Sequence, residues 1–131
     1  MIPKFRAWDK RSKEMWKVST LHIEDEYVDL FKKNIYENPL NDPWAKFGDV
    51  ILMQSTGLKD KNGVEIFEGD VLYYIPFEMH INNSIIVFEK GSFCKKMLRN
   101  GKLTSVKFID SEEYEVIGNI HENPELLQVA E

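Results

Sequence analysis

At 131 residues, 43% of them hydrophobic, the chain has room for one domain, residues 1–131, with a core of its own. A formal net charge of −5 excludes a protein whose whole surface grips nucleic acid. A single cysteine, Cys94, excludes an intrachain disulfide and fits a reducing compartment.

From the N-terminus, Phe5-Arg6-Ala7-Trp8 alternates polar and apolar, the mark of a half-buried strand. Asp9-Lys10-Arg11-Ser12-Lys13 is a polar turn, and Met15-Trp16-Lys17-Val18 resumes extended character. The pair predicts an N-terminal β-hairpin. No apolar run follows the first residues, so no export signal is expected. Residues 25–36 predict the one substantial helix. Tyr27, Leu30, Phe31 and Ile35 recur at helical spacing, with acids at the start and Lys32 and Lys33 later, in the sense that suits the helix dipole. Asn41-Asp42-Pro43 is a loop that Trp44 and Phe47 are expected to anchor to the core.

Beyond residue 50 the pattern is a β-meander. Val50-Ile51-Leu52-Met53 reads as a short buried strand, too short to span a bilayer. Thr56-Gly57-Leu58-Lys59-Asp60 with Asn62-Gly63 reads as a loop of unusual backbone angles and local side-chain hydrogen bonds. Residues 64–67 are extended, Glu68-Gly69 turns the chain, and Asp70 leads into a strand over 71–75. In Val71-Leu72-Tyr73-Tyr74-Ile75 both faces are apolar or aromatic, which predicts cover by another element or by a second subunit. Residues 84–88 and 92–97 flank Lys90-Gly91 as a hairpin, and Asn100-Gly101 is a two-residue turn into a strand over 103–109. The last strand covers 114–117, with Gly118-Asn119 ending it. Asn123 and Pro124, as N-cap and first residue, open a short terminal helix.

Four segments, Phe5-Arg6-Ala7-Trp8-Asp9, Leu52-Met53-Gln54-Ser55-Thr56-Gly57-Leu58-Lys59-Asp60-Lys61-Asn62-Gly63, Ile66-Phe67-Glu68-Gly69-Asp70-Val71 and Tyr114-Glu115-Val116-Ile117-Gly118-Asn119-Ile120-His121-Glu122-Asn123-Pro124-Glu125-Leu126-Leu127, resemble in that order the YopX family. The resemblance covers essentially the full chain and implies a mainly-β fold: the N-terminal hairpin, then a C-terminal barrel-like, SH3-like meander with one or two short helices. It also implies self-assembly and a source in a bacteriophage or prophage. It implies no reaction and no catalytic residues. Gly57, Asp60, Gly63, Gly69, Asp70, Gly118, Asn123 and Pro124 are motif positions read as structural.

Candidate chemistry is sparse. His22, His80 and His121 lie far apart with no ligand-spaced partner, so no metal or other cofactor is expected. Glu65, Glu68 and Asp70 crowd one glycine turn, and reading them as turn-forming acids outweighs general acid-base work. No nucleophile elbow or phosphate-binding glycine fingerprint occurs, and the chain is expected not to be an enzyme. The expectation is an oligomeric protein-interaction module in the cytoplasm of a bacterial host, with a phage or host protein as partner and no membrane contact. The alternative is a nucleic-acid-binding factor using the basic hairpin of residues 94–107, with Lys95, Lys96, Arg99, Lys102 and Lys107 on the phosphates.

Overall fold

The structure, a computed structural model, describes residues 3–31, 43–74, 83–99, 102–107 and 111–127. The chain divides into two compact units, Met1–Gln54 and Ser55–Glu131.

In the first unit the expected hairpin forms. Strand β1 (Phe5–Asp9) pairs antiparallel with β2 (Glu14–His22), with Ala7 opposite Trp16. The turn is closed by the Lys13 N–H donating to the Asp9 carbonyl at 2.8 Å. Residues 27–31 are strand β3 (Tyr27–Phe31), not helix. Val28 and Leu30 are buried at 0% and 1% exposure, whereas Tyr27, Asp29 and Phe31 lie on the other face. That period of two is strand periodicity. Residues 23–26 form a tight turn with Glu26 at φ 56°. Pairing with β2 supplies β3 with a full ladder, so the charge order that favoured a helix is overridden by strand pairing and burial. The rest of the expected helix, residues 32–36, lies outside the described residues, as does Asn41-Asp42.

Strand β4 (Trp44–Lys46) pairs with β3, placing Tyr27 opposite Lys46 and Asp29 opposite Trp44. Phe47 packs on the core as expected. Trp44 does not: it stands 57% exposed. The core of this unit is Ala7, Val28, Leu30, Ala45 and Val50, with Trp16, Val18, Leu21 and Leu52 against it. Each fully buried Val or Leu there contributes about 1.5–3 kcal/mol.

Strand β5 (Val50–Lys59) is longer than expected and runs through the boundary between the units. Its first half pairs with β1, giving the order β4-β3-β2-β1-β5, and its second half with β6 (Glu65–Phe67). Residues 56–59 therefore belong to a strand rather than a loop. Within 56–59 the unusual angle is that of Gly57 at φ 78°, where the β5–β6 register shifts.

The second unit carries β7 (Asp70–Tyr74), β8 (Asn83–Glu89), β9 (Ser92–Arg99), β10 (Lys102–Lys107) and β11 (Tyr114–Asn119), in the order β10-β9-β8-β7-β11. The first four form the expected meander, and β11 returns to the far side of β7. Among the described residues the expected barrel-like closure is not formed. Among the described residues the sheet is open, with β10 and β11 at opposite edges. The edge of β11 is covered locally. Lys61 N–H donates to the Tyr114 carbonyl at 3.0 Å, and the Asp60 carboxylate accepts from Val116 N–H at 2.9 Å. Such cover blunts pairing with other chains. The core here is Ile66, Leu72, Ile86 and Tyr114. Val71 and Leu72, on opposite faces of β7, are both 0% exposed. At these two positions both faces of the strand are covered within the chain.

The terminal helix is one short 3-10 turn, Pro124–Leu127. The Asn123 side chain does not cap it. It turns back and accepts from Asn119 N–H at 3.2 Å. The Asn119 side chain in turn accepts from the N–H groups of His121 and Glu122 at 3.0 and 2.9 Å. Among the described residues no helix is long and apolar enough to cross a membrane.

Candidate functional site

The basic hairpin forms from β9 and β10, with Arg99 opposite Lys102 and Lys107 opposite Cys94. Its Asn100-Gly101 turn lies outside the described residues. Lys95 and Lys96, being adjacent in a strand, address opposite faces. Lys95 Nζ donates to the buried Tyr114 hydroxyl at 2.5 Å and sits 4.8 Å from that ring's centroid. Lys96 Nζ bonds Glu89 Oε1 at 2.8 Å. Two of the five candidate cations, Lys95 and Lys96, thus have partners inside the unit, on different faces. Cys94 is half-buried, its Sγ directed at the Ser92 carbonyl 3.8 Å away.

Two of the carboxylates near the glycine turn, Asp70 and Glu65, accept hydrogen bonds from nearby groups. Asp70, 2% exposed, accepts from Phe67 N–H at 2.8 Å and closes the 67–70 turn. Gly69, at φ 88°, adopts there a backbone that a side chain would disfavour. Glu65 accepts from the Ser55 hydroxyl at 2.5 Å. Glu68 is half-buried. Asp60 holds the 60–63 turn, accepting from Asn62 and Val64 N–H at 2.8 and 2.9 Å, with Gly63 at φ 81° as its sequence position predicts. In the first unit Asp9 plays the same part. Burial works to raise its pKa, but hydrogen bonds from Arg11 N–H and the Ser12 side chain, and the Arg11 guanidinium beside it, hold it below the ordinary carboxylate value.

Of the histidines, His80 lies outside the described residues and His121 sits in the turn after β11. His22 is part of a cluster that sequence reading missed. Its Nε2 lies 2.8 Å from Asp29 Oδ2, and its ring stacks on Tyr27 at 4.0 Å between centroids and 10° between planes. Tyr27 meets Trp44 nearly perpendicular, at 5.7 Å and 75°. The four side chains come together only through the β2–β3–β4 register, which a helix over residues 25–36 would not produce.

A groove of about 490 Å³ opens beside this sheet, lined by Pro3, Lys4, Phe5, Val18, Ser19, Leu21 and Ile23. It exists because β1 and β2 pair only from Arg6–Lys17 to Asp9–Glu14, so the start of β1 and the end of β2 part company. Ile23 at its rim is 75% exposed.

Two antiparallel sheets joined to a few short 3-10 turns define a mainly-β protein. The YopX protein family matches residues 4–128, and the chain belongs to that family. It is similar to the crystal structure of protein EF1440 from Enterococcus faecalis, with 32% identity and a TM-score of 0.60 over 98% of this chain and 99% of that one. It is also similar in fold to protein yopX from Bacillus subtilis, at 19% identity and a TM-score of 0.54 over 95% and 98%. No curated protein matches the chain significantly.

Proposed function

We propose that this YopX-family chain is a non-catalytic accessory protein of a phage or prophage, acting in the host cytoplasm by binding other proteins, copies of itself included. The observation that carries the reading is the groove between β1 and β2. Its walls are mostly apolar, it is open along one side, and Ile23 at 75% exposure is a large apolar side chain in water beside it. Scattered exposed apolar residues need no explanation, but one set at the lip of an apolar groove marks a contact surface. The carboxyl side chains support the same reading. Asp60, Asp70 and Glu65 are engaged in bonds that hold turns and strands. The test is capture of the tagged chain from host cells carrying the phage, with and without nuclease. Protein partners that survive nuclease and are lost with Ile23→Asp support the proposal. Recovery that vanishes with nuclease refutes it.

A further inference from the structure

We propose that the outer face of the β2–β3–β4 sheet, on the side away from the core, binds single-stranded nucleic acid. Val28, Leu30 and Ala45 fill the core side of this sheet at 0%, 1% and 1% exposure. Alternation therefore puts Tyr27, Asp29, Phe31, Trp44 and Lys46 on the other side. Register brings Lys17 opposite Phe31 and His22 opposite Tyr27, and Lys46 opposite Tyr27 from the far strand. The result is an aromatic row with a lysine at each end.

Exposed aromatic rings set between cations can stack bases. His22 stacks on Tyr27 at 4.0 Å and so fixes that ring. Trp44 stands across it, 57% exposed, which leaves indole surface for a base. Stacking of this kind accepts any base, because each has a π-face. Lys46 and Lys17 are exposed. Lys17 Nζ lies 6.0 Å from the Phe31 centroid, at the outer limit of a cation–π contact. The carboxylate among these register positions is Asp29, and His22 is within 2.8 Å of it. The acidic turn Glu24-Asp25-Glu26, exposed at one end of the sheet, limits how far a phosphate chain extends in that direction. A duplex keeps its bases stacked on one another and offers this face only phosphates, so the ligand is single-stranded.

The charge count makes the inference quantitative. Two lysines release few counterions, and a slope of about −0.7 per phosphate contact gives a log–log salt dependence near −1.4. The five cations of the β9–β10 hairpin would give about −3.5 by the same rule. The experiment is fluorescence polarisation of a fluorescein-labelled oligothymidylate of about twelve nucleotides, titrated with the full chain at several salt concentrations. Binding with the shallow slope is expected. Trp44→Ala should weaken it roughly tenfold. Lys46→Glu, at an exposed position that leaves the core intact, should weaken it as well. Lys96→Ala with Arg99→Ala should leave it unchanged. The proposal is overturned by no binding at low salt, by a slope near −3.5, or by binding that only the hairpin variant loses. It is equally overturned if Trp44→Ala abolishes self-association and leaves oligonucleotide binding intact, since the face would then be a protein contact.

Discussion

Replacing Asp60 by alanine removes one carboxylate that three backbone N–H groups share: Asn62 and Val64 on Oδ1 and Val116 on Oδ2. Hydrogen bonds to a charged group contribute about 1.5–3 kcal/mol each, and an orphaned buried donor costs about 1–3 kcal/mol. The three do not simply add. Asn62 and Val64 are exposed, so water can serve their N–H groups after the change. Val116 is half-buried at the sheet edge, and its N–H loses the partner that links the 60–63 turn to β11. The expected cost is therefore dominated by that bond, at about 2–4 kcal/mol in all. Asp60→Asn keeps an acceptor for the turn but sets an amide N–H₂ against the Val116 N–H, for about 1–3 kcal/mol. All three tryptophans lie in residues 1–54, so tryptophan fluorescence follows the first unit only. The assay is urea unfolding by far-UV circular dichroism, with hydrogen exchange read at the Val116 amide. A loss below about 0.5 kcal/mol, or a Val116 amide that exchanges at the wild-type rate in Asp60→Ala, would refute the reasoning.

Gly118→Ala should destabilise the second unit by about 1–3 kcal/mol, since its Cβ would lie 2.8 Å from Asn123 Cγ and 2.9 Å from Leu126 Cδ1; thermal unfolding checks it, and a wild-type midpoint would count against the packing described. Asp9 has a folded pKa below its unfolded value, so its contribution is present above about pH 4 and is lost as pH falls through the folded pKa. The stability difference between the wild type and Asp9→Asn should therefore shrink on going from neutral pH to pH of about 3, as denaturant titrations at the two values would show; a constant difference would contradict it.

Where the sequence was legible, short-range chemistry was decisive. Asn62-Gly63 and Lys90-Gly91 sit in turns with their glycines at φ 81° and 80°, and polar–apolar alternation marks β1. Where it failed, a longer-range term won. Tyr27, Leu30 and Phe31 satisfy helical spacing, but Val28 and Leu30 bury together only in a strand paired with β2. No glycine announces the turn at Glu26. The groove, the aromatic cluster and the long-range turn bond were harder still. The His22–Tyr27–Trp44 cluster depends on two registers at once, the groove depends on where β1 and β2 cease to pair, and the Asp60–Val116 bond joins residues 56 positions apart. None of these has a local signature.

Sedimentation velocity of the chain and of Ile23→Asp across the micromolar range tests the interaction-module reading most directly. The account predicts an oligomer for the wild type that dissociates on Ile23→Asp with the fold unchanged by circular dichroism. A monomer at every concentration, or an oligomer indifferent to Ile23, would contradict it.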